Sequence, residues 1–386
     1  MKNLYRSAVL ITLFIFGTSL QSKVFSYPKF AALSGNMCID CHVNPDGGGM
    51  RNGGGNFYAK NNLNMDLFKK LAGKTEFSPK ITKDITLGSD VRVAQVDNER
   101  ADTAKSYSNY NAFLAMQGSI YFNAQINKIL NIYASSGIIV PGYETEYEVF
   151  GMLSNLPANL FFKAGRFKPE YGIRIVEHRA YQRKYLLNAP DNANTGFELG
   201  INPGWFALNA GLYNPPQSSE FSGFDPHKML IANTNFNFAF EKYFFNINFG
   251  GSFMNNPFNT YDSTFTGVIT ALKQSFGANA RFGFLKTIAL LSEVDFEQNT
   301  SDFPMRRSFY NFNELDIIIL KGLELRFQYE IYDKNRDVPD DDITRVSTGF
   351  AAYPFYGFET EIMVRFVNET PKIKNNEFQW NFHFYF

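Results

Sequence analysis

The chain has 386 residues, 37 basic against 37 acidic, and 17% of it is aromatic, with 42 Phe and 21 Tyr. No basic tract is present, which argues against nucleic acid as a partner. The mean hydropathy of −0.24 does not fit a chain of membrane-spanning helices, and no apolar run is long enough for one.

The start reads as an export signal. Lys2 and Arg6 precede an apolar run from Ala8 to Phe16, and small residues follow it. Cleavage is expected after Ser26, with Ser22 as the alternative, so residues 1–26 are assigned to the signal. Losing its cations leaves the mature chain slightly acidic.

The only two cysteines stand in Cys38-Ile39-Asp40-Cys41-His42. In an exported protein this C-x-x-C-H spacing reads as covalent attachment of one haem c. Two thioethers would form at Cys38 and Cys41, with His42 as an axial iron ligand. A zinc site would need two more nearby ligands, and His178, His227 and His383 are remote in sequence. A redox CxxC should open a helix in a βαβ unit, and none surrounds it.

Six glycines follow between Val43 and Gly55, with Pro45, Met50 and Arg51 among them. They allow close backbone approach to a flat cofactor; a flexible linker is the alternative. Met50 is the first candidate for the second axial ligand, eight residues from His42 and within an extended reach of roughly 27 Å. Met37 adjoins the attachment site too closely, and Met65 is a further option. His178, in the long segment 168–194 with Arg174, Arg179, Arg183 and Lys184, is the rival ligand. Those cations suit haem propionates or another anion. Leu63, Leu67 and Leu71 predict one short helix. Residues 27–83 form a haem segment too small to build a core without its cofactor.

From residue 84 the period becomes two. Phe378, Trp380, Phe382, Phe384 and Phe386 alternate with Gln379, Asn381, His383 and Tyr385; Leu323 to Ile331 alternate with Glu324, Arg326, Gln328 and Glu330. Leu114, Met116, Ile120 and Phe122 are grouped on one face in the same way. Most segments are about ten residues or longer, charges share one face, and the last strand closes on Phe386. A wide transmembrane barrel with a wet lumen fits this better than a soluble sandwich.

About sixteen strands are expected, at 85–95, 112–126, 130–140, 146–156, 160–167, 195–201, 205–213, 229–240, 243–253, 268–282, 287–296, 308–320, 323–333, 344–353, 358–367 and 377–386. Short and long connections alternate between them, as periplasmic turns and extracellular loops do. The fold expected is therefore all-β, an antiparallel transmembrane barrel over residues 84–386 with a small N-terminal haem segment, in the outer membrane of a Gram-negative-type bacterium.

A signal, one C-x-x-C-H and a barrel together resemble the fused monohaem cytochrome–porins, the outer-membrane iron oxidases. The local likeness is sharpest over Phe30-Ala31-Ala32-Leu33-Ser34-Gly35-Asn36-Met37-Cys38-Ile39-Asp40-Cys41-His42. The resemblance implies a haem held in the pore, oxidation of extracellular Fe(II), and electrons passed to a periplasmic cytochrome. The segment 43–55 departs from that family in its glycine content. Two other functions stay open: a passive porin plugged by its haem segment, and a haem-based sensor. A hydrolytic enzyme has no support, because no nucleophile–base set or phosphate loop is present.

Overall fold

The computed structural model describes residues 28–35, 37–73, 77–99, 110–137, 147–175, 177, 179–186, 193–216, 225–261, 267–302, 304–370 and 375–386. The expected signal and the candidate ligand His178 lie outside these.

Period-two alternation produces the strands, and there are sixteen of them. They are β1 Ile85–Asn98, β2 Tyr110–Gln125, β3 Leu130–Gly137, β4 Tyr147–Leu153, β5 Phe161–Phe167, β6 Asn194–Ile201, β7 Phe206–Tyr213 and β8 Met229–Phe240. The second half is β9 Phe245–Tyr261, β10 Val268–Phe284, β11 Ile288–Asn299, β12 Arg306–Leu320, β13 Leu323–Asp333, β14 Asp342–Phe355, β15 Phe358–Glu369 and β16 Glu377–Tyr385. Each pairs antiparallel with its neighbours, and β1 closes on β16 from Asp90↔Tyr385 to Asn98↔Glu377. Closure leaves no unpaired sheet edge, which a bilayer without water to solvate backbone groups requires.

The faces sort as the alternation predicts. On β13, Phe327 and Tyr329 are exposed while Glu324, Gln328 and Glu330 are buried. On β16, Trp380, Phe384 and Phe386 face out and Gln379 and His383 face in. Outward rings gather near the short turns: Trp205 beside Phe206 and Phe236, and Phe355 against Phe358. They form an aromatic girdle at the periplasmic interface. The tight turns carry left-handed residues, among them Gly322 (φ 80°) and Gly357 (φ 87°).

Three expectations need correction. Strand β4 ends at Leu153, short of the expected 156. Strand β9 runs on past Phe253 to Tyr261 through Pro257. Proline is accommodated there because β8 pairing stops at Asn255, so beyond it only β10 lies alongside. On β2 the register shifts opposite Arg92 and Val93, skipping Met116. The bulge reverses the alternation, so Met116 borders a lumenal cavity rather than lipid.

The lumen itself is not an open wet channel along its whole length. Among the described residues, 28–35 and 37–65 of the N-terminal segment and 168–175, 177 and 179–186 of the third long loop pack inside it. Helix α1, Pro28–Ser34, buries Phe30 against Tyr58 and Tyr353. Gly35 (φ 75°) ends it, its N–H returning to the Ala31 carbonyl at 2.8 Å, in the left-handed cap that glycine favours. Helix α2, Gly53–Tyr58, starts where three glycines had been read as loop. The Asn52 carboxamide oxygen accepts from the N–H groups of Gly54 and Gly55, supplying the N-cap. Helix α3, Asp66–Ala72, occupies the place of the predicted short helix, but Leu67 and Leu71 are exposed.

Candidate functional site inside the lumen

One helical turn organises the site. The N–H groups of Cys41 and His42 both donate to the Cys38 carbonyl, at 3.1 and 3.0 Å. Residues three and four apart share one side of such a turn, so the two thiols and the imidazole are brought together. Neither cysteine is in a disulfide; Cys41 is fully buried and Cys38 is half-buried. The Nδ1 atom of His42 is buried without a hydrogen-bond partner.

A short antiparallel hairpin holds this turn. His42 pairs with Arg51, flanked by Val43 N–H to the Met50 carbonyl (3.1 Å) and Asn52 N–H to the Cys41 carbonyl (2.8 Å). The Asn52 side-chain amide donates to the carbonyls of Ile39 (2.9 Å) and His42 (3.1 Å). One asparagine therefore ties the attachment turn to the start of α2. Gly47, Gly48 and Gly49 are all left-handed, at φ 84°, 73° and 59°. A Cβ on Gly47 would stand 3.3 Å from the Cys38 sulfur and one on Gly49 would stand 2.6 Å from the Tyr133 hydroxyl. Conformation and space both demand glycine here, which rules out a slack linker.

The electrostatics keep the imidazole neutral. Burial, reinforced by the Arg51 and Arg174 guanidiniums, lowers His42 to about 3. Burial and the nearby Glu170 carboxyl raise Cys38 to about 11. A neutral imidazole is the form that ligates a metal. Two thiols and this imidazole on one turn are the donor set of a c-type haem, and the residues present fit that group.

Buried charge pairs fix the segment to the wall. Lys163 of β5, wholly buried, hydrogen-bonds Asp46 and the Asn44 carboxamide (3.1 Å) and sits 3.1 Å from Glu198. The Asn209 amide donates to Asp46 at 2.7 Å. Arg51 lies 3.7 Å from Asp90 and stacks 4.0 Å over the Tyr385 ring. His383 bridges Asp90 and Glu359 at 2.9 Å on each side. Lys29 of α1 pairs with Asp316 and Glu324. Inward Glu324, Arg326 and Glu330 are thus buried and partnered rather than bathed in channel water; Arg326 meets Asp316 at 2.9 Å and also bonds Glu361.

The Met50 side chain is buried with Tyr121, Tyr133 and Phe150. Met65 donates its N–H to Tyr353 and packs at the periplasmic turn around Gly322.

The third loop comes down onto the segment. Arg174 hydrogen-bonds the Gly47 carbonyl, Gly172 N–H reaches Ser252 (2.8 Å) and Ile173 N–H reaches Glu293 (2.8 Å). Of the loop cations noted in the sequence, Arg174 and Arg183 face a lumenal cavity, Arg179 pairs with Glu377, and Lys184 is exposed. His227 is a loop residue bonded to Asp225 at 2.6 Å, and His383 faces the lumen. Asp337 pairs with Arg307 at 3.4 Å, both half exposed. Among the described residues, no group of three or more His, Cys, Asp and Glu side chains gathers as a metal site.

Sequence reasoning missed Lys163 and Asp46 as partners. The only available signal was Lys163 alternating with Phe162 on a strand, which marks an inward cation without naming its mate.

No protein-family model matches the chain, and no curated protein matches it in sequence. Solved structures do match its shape. The anion-selective porin from Comamonas acidovorans superposes with TM-score 0.58 at 10% identity, covering 78% of this chain and 99% of the porin. The outer membrane channel DcaP of Acinetobacter baumannii gives 0.58 at 9%, covering 80% and 100%. OmpT of Vibrio cholerae gives 0.57 at 11%, covering 80% and 100%. At such identities the likeness is one of fold.

Proposed function

We propose that this porin-like outer-membrane barrel is an electron-transfer protein, a monohaem c-type cytochrome segment seated in its own pore. The observation that carries this reading is the position of the C-x-x-C-H turn. It lies within the barrel wall, between the Asp90–His383 side and Arg174, and not free in the periplasm. A cofactor left outside would be separated from the far side by an apolar band of ~25 Å; attachment inside the lumen shortens that path.

Bound haem supplies a one-electron couple. The chain's own groups do the rest. Cys38 and Cys41 would hold it, neutral His42 would offer a nitrogen to its iron, and Asn52 fixes the turn they share. Because Cys41 is fully buried, attachment would have to precede docking of the segment in the barrel. The packed segment and third loop also obstruct leakage while charge passes. An extracellular donor, Fe(II) or another metal ion, would lose one electron to a periplasmic carrier, giving Fe(III) outside.

The test is a haem-stained band of the full-length protein in the outer-membrane fraction, then reconstitution in vesicles. Redox-coupled current is expected, and it should vanish in Cys38→Ala/Cys41→Ala. A colourless protein, or a current indifferent to those substitutions, defeats the reading. The alternative, a porin merely plugged by this segment, draws on the barrel's likeness to porins and predicts solute conductance that survives the same substitutions.

A further inference from the structure

The third loop roofs a chamber that the attachment turn does not use. It is a partly open space between the loop and the wall of β8 to β11. Its wall is apolar where Met229, Ile231, Met254 and Leu186 meet, all buried. Its polar rim carries Lys168, Arg174, Arg183 and Lys273 beside two carboxyls, Glu170 and Glu293; Lys273 is paired with Glu297 at 3.1 Å and Arg174 bonds the Gly47 carbonyl.

Two amides make it more than a gap. Gln182 is 3% exposed, yet neither its amide nitrogen nor its carbonyl oxygen has a hydrogen-bond partner. Asn256 is 1% exposed and its carbonyl oxygen is likewise unpartnered. Both line the chamber. Buried polar groups without partners are costly, so two of them aimed into one space mark it as built for a ligand that bonds them.

The opening faces outward. Pro216, in the loop between β7 and β8, and Lys168 and Asn194 at the extracellular ends of β5 and β6, border it. Cys38, Cys41 and His42 do not, and Arg174 stands between them and the chamber, bonded to Gly47. An occupant therefore enters from outside.

We propose that this chamber binds a free small organic anion, a ring compound bearing a carboxylate or sulfonate, with its body on the methionine floor and its charge among the rim cations. The carboxyls are already engaged: Glu170 accepts from Asn233 at 3.0 Å and Glu293 from Ile173 at 2.8 Å. Burial and the neighbouring Asp46 charge also push Glu170 up to about 8, which leaves the rim more positive at neutral pH. The proposal stands independently of whether the protein carries haem.

Anthraquinone-2-sulfonate is the probe, measured by equilibrium dialysis of the full-length protein in detergent against empty micelles. One saturable site per chain is expected, about ten-fold weaker in Gln182→Leu and in Asn256→Leu, each removing a hydrogen bond. The same ring system without the sulfonate should bind more weakly. Heat-modifiable migration on gels confirms that each variant is folded. Cys38→Ala/Cys41→Ala should bind as well as the parent. Non-saturable uptake, or affinity unchanged in both amide variants, overturns the proposal. Binding only in the haemless variant also overturns it, since the space then belongs to the haem. A protein that proves colourless but binds the sulfonate sustains this inference while the cytochrome reading fails.

Discussion

Two segments share the lumen and are held in different ways. The N-terminal segment is tied by its backbone as well as its charges. Asn246 donates to the carbonyls of Ala32 and Leu33 at 3.0 and 3.1 Å, Asn237 donates to that of Gly35 at 2.7 Å, and Lys163 locks Asp46 with no exposure at all. The third loop uses its backbone too, the Gly172, Ile173 and Tyr181 N–H groups chiefly donating to the wall where the segment's carbonyls accept. Glu177 meets Arg365 at 2.6 Å, Arg345 bonds Glu330 and the Arg179 carbonyl, and Arg179 pairs with Glu377. The loop keeps the unsatisfied Gln182, and the segment keeps the unsatisfied His42 Nδ1 and Asn64 Oδ1 beside the well-bonded Asn52 and Asn56. The contrast teaches where each could take up a bound group.

Breaking the strongest tie should abolish the difference. Lys163→Met leaves Asp46 and Glu198 buried without their cation, a loss of about 3–5 kcal/mol. The segment is then expected to leave the wall, giving higher single-channel conductance and protease cleavage near Gly47 with the barrel still folded. Unchanged conductance would show that the remaining ties suffice.

Acid should release the loop. Burial alone would raise Glu177, but Arg365, Arg345 and the Arg179 N–H hold it down to about 2. Its contribution is therefore complete above the ordinary carboxylate value near 4.5 and is lost as pH falls from there toward about 2. Conductance is expected to rise over that window, and Glu177→Gln should show the raised level at neutral pH, with about 2 kcal/mol less holding the loop. A pH-independent conductance would contradict the distinction.

The smallest effect sharpens it. Asn52→Ala removes the N-cap of α2 and the ties to Ile39 and His42, costing about 1 kcal/mol. On the cytochrome reading, the visible spectrum of the haem protein should broaden while the loop's acid response stays as before. A shifted acid response instead would mean that loop and segment move as one.

Much of the barrel was legible before any coordinates. Strands β8 and β13 run as the alternation drew them, Met229–Phe240 and Leu323–Asp333, because a lipid-facing and a lumen-facing side must alternate wherever a strand crosses the membrane. The attachment turn was legible too, since the spacing of Cys38, Cys41 and His42 is a local property. Register defects were not. The bulge at Met116 leaves no mark in composition, and β9 runs on through Pro257, which reads locally as a stop.

Sequence alone thus determined the strand number, most of the inward and outward faces, and that Cys38, Cys41 and His42 are close along the chain. Each depends on neighbours along the chain. Tertiary structure decided what meets across the lumen: Lys163 with Asp46, Arg174 with Gly47, and Met50 among tyrosines. Those meetings depend on how sixteen strands close and on which segment enters the space enclosed, and residues far apart in the chain acquire a distance only when the ring is shut.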